Sequence, residues 1–92
     1  MPRFRRILQQ LIYYWSDEGK PLEPLHFHVA LSPGPDKTKV WILSDGTMQV
    51  AYRTSDISEQ RLNRILKIMA QYIDEYTQEW EYFFGEKATY YK

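Results

Sequence analysis

From Ser58 to Phe84 the chain keeps one apolar stripe without a break: Leu62, Ile65, Leu66, Met69, Tyr72, Ile73, Tyr76, Trp80, Phe83 and Phe84 recur at three-and-four spacing. That period predicts a single amphipathic helix over 58–84. Ser58 suits the N-cap, Ile57 and Leu62 are placed as a hydrophobic staple, and Gly85 is a natural stop. No proline interrupts it. Such a helix is about 40 Å long, whereas a six-residue strand covers about 20 Å. Short strands therefore cover only about half of the stripe. Its aromatic second half needs another cover: the N-terminal segment, the tail with Tyr90 and Tyr91, or a second protein chain. Charge points toward the last of these. Arg61, Arg64 and Lys67 lie in the first half of the helix and Asp74, Glu75, Glu79 and Glu81 in the second. That order opposes the helix dipole and suits an antiparallel partner helix. Tyr72, Tyr76, Trp80 and Phe83 are the expected partner interface, for a small protein partner or for self-association as a dimer.

Upstream the pattern is that of strands. Leu11 to Trp15 is a β-branched and aromatic run that reads as strand 11–15, apolar on both sides and so covered on both faces. Phe4, Ile7, Leu8, Leu11, Ile12 and Trp15 also follow the helical spacing of an amphipathic helix, so Phe4 to Gln10 stays open. Pro21 and Pro24 stiffen the loop that follows. A strand over 26–31 comes next, ended by Ser32-Pro33-Gly34-Pro35-Asp36. Strands 38–43 and 47–52 form a hairpin around Ser44-Asp45-Gly46. A two-residue turn groups Trp41 and Leu43 with Met48 and Val50. A three-residue loop with Gly46 left-handed groups Val40, Ile42, Met48 and Val50 and leaves Trp41 on the outer face. The second is preferred, because it sends Lys39 and Gln49 outward together. Strands followed by one helix make an α+β fold. The expectation is one domain, 1–92, with an antiparallel sheet of three or four strands packed by one long C-terminal helix.

Composition narrows the function classes. Twelve basic and twelve acidic residues cancel, which disfavours a nucleic-acid footprint beyond local groups such as Arg3, Arg5 and Arg6. The absence of cysteine excludes disulfides and thiolate metal ligands. No apolar run reaches the ~20 residues of a membrane span, and no cleavable leader is evident. A cytoplasmic protein is expected.

The candidate chemistry sits in Pro24-Leu25-His26-Phe27-His28-Val29, which holds both histidines. Strand alternation sends His26 and His28 to one face. Two imidazoles so placed can take a divalent metal, zinc or iron, with Asp17, Glu18 or Glu23 as a carboxylate third ligand. Metal-bound water then serves hydrolysis of a phosphodiester or similar bond. His26 or His28, or Glu18 beside them, is alternatively a catalytic acid or base, with Arg53 or Lys39 stabilising an anion. The plain structural alternative is a pair of partly exposed strand histidines bonded to the Ser16-Asp17-Glu18 turn. No cofactor is fixed by this pattern.

Tyr14-Trp15-Ser16-Asp17-Glu18-Gly19, then Pro24-x-His26-x-His28-Val29, then a strand–turn–strand with Gly46, then Trp80-x-x-Phe83-Phe84-Gly85 resembles domain-of-unknown-function family 4160. The likeness runs from about Leu11 to Gly85, with Lys20-Pro21-Leu22-Glu23 as an insert before Pro24. The resemblance implies a small bacterial protein with no settled activity. Its relatives are often encoded beside another small protein, in a two-gene arrangement like that of toxin–antitoxin modules. The expected function is therefore a small cytoplasmic interaction or regulatory protein. The alternative is a small metal-dependent hydrolase, a nuclease-like toxin, using His26 and His28.

Overall fold

A computed structural model describes residues 3–15 and 22–92. Strands β1 (Arg3–Ile7), β2 (Gln10–Tyr13), β3 (His26–Ala30), β4 (Thr38–Ile42) and β5 (Met48–Tyr52) precede α1 (Glu59–Met69), a 3-10 turn (Ala70–Tyr72) and α2 (Ile73–Phe84). The strands form one antiparallel meander in the order β1-β2-β3-β4-β5. The fold is α+β with a C-terminal helical segment, as read, but the sheet has five strands rather than three or four.

The extra strand is β1, from the segment that spacing alone left open. It is joined to β2 by a two-residue turn in which Leu8 (φ 46°) and Gln9 (φ 70°) are both left-handed. Tight hairpins favour that twist but normally take Asn or Gly there. With Leu-Gln in its place, the turn carries no sequence signal. Arginines hold it instead: from α1, Arg61 Nη2 donates to the Leu8 carbonyl at 2.8 Å, and within the hairpin Arg6 Nη1 donates to that of Gln9 at 3.2 Å.

The β4–β5 hairpin has the register expected. Val40 faces Val50 and Ile42 faces Met48. Gly46 is left-handed at φ 85°, and Leu43 N–H bonds Thr47 O at 2.8 Å. Strand β2 is buried along its whole length, so both of its faces are covered.

Helix and sheet enclose one core. Ile12, Phe27, Val29, Val40 and Ile42 meet Leu62, Ile65, Met69, Ile73, Tyr76 and Trp80. Ser58 caps α1 by accepting from Arg61 N–H at 3.1 Å. Gly85 ends α2 at φ 69°, its N–H on Glu81 O. The second half of the stripe finds its cover within the chain. Phe4 of β1 meets Tyr76 edge-on at 5.1 Å. Tyr14 packs on Tyr76, Phe83 and Phe84 at 5.3–5.8 Å. The tail joins this cover at Ala88, which packs on the same core with its N–H donating to the Glu81 carboxylate, and then runs along the sheet: Thr89 O accepts from Leu25 N–H, Lys92 O from Ser44 N–H, and Tyr91 stacks on Trp41.

The 3-10 turn changes the meaning of the helical charges. Read as one helix, they oppose the dipole. Read as two, the charges at the helix ends nearest the junction follow it, with Lys67 closing α1 and Asp74 and Glu75 opening α2, whereas Arg61 early in α1 and Glu79 and Glu81 late in α2 still oppose it. Arg5 fixes this junction, its guanidinium 3.8 Å over the Tyr72 ring and 3.5 Å from Glu75. The charges on either side of the junction thus have an account within the chain.

Candidate functional site on the histidine face

Strand alternation splits β3 between two environments. Phe27 and Val29 enter the helix-facing core, and His26, His28 and Ala30 point to the other side. The register then assembles that other side. Tyr13 lies opposite His28, which lies opposite Lys39, and His26 lies opposite Trp41. The rings form a continuous ladder. Tyr13 stacks on His28 at 5.4 Å, His28 meets His26 edge-on at 5.2 Å, and His26 meets Trp41 at 5.6 Å. Tyr91 lies flat on Trp41 at 4.8 Å and 4°. Lys39 Nζ sits 4.3 Å from the Trp41 ring and pairs with Glu23.

The histidines are therefore interior groups. His26 is 0% and His28 4% exposed. The expectation of partly exposed strand histidines is corrected, because Tyr13, Trp41 and each other's rings cover them. The expected bonds to the Ser16-Asp17-Glu18 turn fall on residues outside those described. His26 Nδ1 donates to Pro24 O at 2.9 Å and His28 Nδ1 to Lys37 O at 3.3 Å. A carbonyl partner requires Nδ1–H, so the acceptor lone pair of each neutral ring falls on Nε2. Burial, and then the neighbouring His26, push the His28 pKa down to about 4. His28 is thus neutral at pH 7 and too weak a base for acid–base work there. Neutral imidazole with Nδ1 held by a carbonyl is the form that metals bind.

The other candidate residues divide clearly. Asp17 and Glu18 lie outside the described residues. Among those described, no three histidine or carboxylate groups gather into a metal-holding set. Arg53 is turned to the Ile57 and Thr54 carbonyls. Of the four interface candidates, Tyr76 and Trp80 are core residues, and Tyr72 is half-buried under Arg5. Only Phe83 is open, 47% exposed, beside Tyr82 at 90%.

Two features escaped sequence reasoning. Tyr13 belongs to the histidine ladder, its hydroxyl donating to Gly34 O at 2.7 Å and accepting from Gly34 N–H at 3.0 Å. The alternation Leu11, Tyr13, Trp15 carried that signal once strand 11–15 was placed beside the histidine strand. The second is the open edge of β5, a strand whose position the spacing did give: it is an outer strand whose other edge meets no element among the described residues, and Val50 and Tyr52 are 37% and 42% exposed.

No helix among the described residues is long and apolar enough to cross a membrane. No curated protein and no solved structure matches the chain. The model of a domain of unknown function, DUF4160, matches residues 11–81. That span takes in β2, the histidine ladder of the sheet, β5 and most of the helical segment, and on it the chain belongs to the DUF4160 family.

Proposed function

We propose that the chain is a small cytoplasmic interaction or regulatory protein, acting by protein–protein association as one half of a toxin–antitoxin-like two-gene pair. One observation carries this reading: the two edges of the sheet are built differently. Edge β1 holds Arg3, Arg5 and Arg6, the kind of charge that blocks strand addition. Edge β5 reads Met-Gln-Val-Ala-Tyr, with no charge and no proline. An uncharged open edge supports recognition by strand addition. The exposed Tyr82 and Phe83 at the end of α2 add a second apolar surface. Co-expression with the small protein encoded beside it tests the reading. A stable complex is expected, weakened about tenfold or more by Val50→Lys. Absence of a complex with that protein counts against it, as does an unchanged affinity in the folded variant.

A second reading has its own support. Both Nδ1 atoms are held by backbone carbonyls, which orients the Nε2 atoms as metal ligands are oriented. In that reading His26 and His28 hold zinc or iron in a small hydrolase, with Asp17 or Glu18 completing the set. Metal analysis of the purified protein beside a His26→Ala/His28→Ala variant tests it. Stoichiometric metal lost in the variant supports it, and an equal trace in both sinks it.

A further inference from the structure

We infer that β5 pairs antiparallel with β5 of a second copy of this chain, about a two-fold axis at Gln49, joining two five-stranded sheets into one. The inference rests on the association reading for the open edge and takes a second copy, in place of the neighbouring-gene protein, as its occupant. Main-chain parity comes first. Leu43 N–H bonds Thr47 O, so Thr47 turns its polar backbone toward β4, and Gln49, opposite Trp41, does the same. Met48 and Val50 therefore turn N–H and C=O to the open side. With Gln49 facing Gln49, Met48 of each copy faces Val50 of the other, and each such pair exchanges both of its hydrogen bonds. Side-chain parity agrees. Met48 and Val50 lie on the helix side of the sheet, opposite Ile42 and Val40, so the new neighbours are apolar against apolar. The Gln49 amides meet on the other side, donor to acceptor.

Charge selects this register from its neighbours. After Val50 a bulge sets Tyr52, not Ala51, opposite Lys39, so Arg53 of each copy stands three places past the axis, beside the β4–β5 turn that carries Asp45 of the other. Asp45 is exposed, and its carboxylate accepts from Thr47 N–H at 3.0 Å and Thr47 Oγ1 at 2.6 Å, which keeps it ionised. Arg53 is exposed and uses Nη1 for its bonds to Thr54 and Ile57, so the rest of its five-donor fork can meet a carboxylate. Sliding by two residues, to set Val50 on Val50, carries Arg53 past that turn to the level of Met48 and loses both ion pairs. A β1–β1 pairing would instead bring Arg3, Arg5 and Arg6 of two copies together.

The experiment uses the whole chain alone. Sedimentation equilibrium at about 100 µM is expected to give twice the 11.1 kDa chain mass. Val50→Lys, with its circular dichroism unchanged, should raise the dimer Kd about tenfold or more. Asp45→Asn keeps an acceptor for Thr47 but drops the charge. It should weaken the dimer by about threefold and flatten its salt dependence. The register has a separate readout, because the chain has no cysteine of its own. Gln49→Cys places two thiols across a non-hydrogen-bonded pair, about 4.5 Å between Cα atoms, and should form a disulfide-linked dimer under mild oxidation. Tyr52→Cys should not. A monomeric mass for the wild-type chain, or cross-linking of Gln49→Cys no faster than of Tyr52→Cys, overturns the inference. The broader reading has its own failure. A monomeric chain that still binds the neighbouring-gene protein, with Val50→Lys abolishing that complex, ends self-pairing and leaves association standing.

Discussion

His28 is the residue whose surroundings differ most from those of the unfolded chain. Stacked on Tyr13, edge-on to His26 and bonded to Lys37 O, it has a folded pKa of about 4 against 6.5 for an exposed imidazole. The folded state therefore binds fewer protons than the unfolded state between those values. Stability should rise with pH through that window and flatten above it, by about 3 kcal/mol in all. Urea midpoints from pH 4 to 7 measure this, and a His28→Phe variant should lose most of the slope. A proton titration of His28 by NMR with a midpoint near 6.5 would sink the prediction. Leu8 and Gln9 show the opposite kind of residue, one whose backbone is strained rather than its charge. Two left-handed non-glycine residues cost about 1–2 kcal/mol each. Replacing Leu8-Gln9 by Asn-Gly should stabilise the protein by about 1–2 kcal/mol, read as a rise of about 4–8 °C in Tm per kcal/mol. The Arg61 and Arg6 bonds go to carbonyls, so the exchange leaves them intact.

Elements were legible where periodicity was strong. The apolar stripe from Leu62 to Phe84 and the Gly46 register both carry their answer in residue spacing, since each misplaced residue would expose an apolar side chain. Strand β1 was not legible, because Leu-Gln is no turn signature and the strand is held by distant partners: Phe4 on Tyr76, Arg5 on Tyr72 and Glu75, and Arg61 on the Leu8 carbonyl. The 3-10 turn at Ala70–Tyr72 has no glycine or proline to announce it. The histidine site was half legible. Alternation placed His26 and His28 together, but their burial depends on Tyr13 and Trp41 from neighbouring strands. The same division governs α2. Trp80 is in the core and Phe83 is half open, although both belong to the one stripe. Trp80→Ala should cost about 3–5 kcal/mol, enough to unfold much of a marginal domain. Phe83→Ala should cost about 1 kcal/mol or less, because its ring is 47% exposed. Equal losses in chemical denaturation would mean that the aromatic end of α2 packs as one block.

At the scale of the molecule, the meander sets the order of events during synthesis. Every strand pairs with its neighbour in sequence, so each pairing closes only a short loop and the sheet can zip from its N-terminal end. The helices that cover it are made last. While the final third of the chain is still inside the ribosome, Ile12, Phe27, Val29, Val40 and Ile42 have no lid, and β5 is already an open edge. A chain ending at Ile57 should therefore form sheet by infrared spectroscopy yet aggregate at concentrations where the whole chain stays dispersed. A dispersed, sheet-forming fragment would count against this. The vulnerable interval of this protein is thus its own translation, and a holding factor at the ribosome exit has a defined apolar surface to protect until Phe84 emerges.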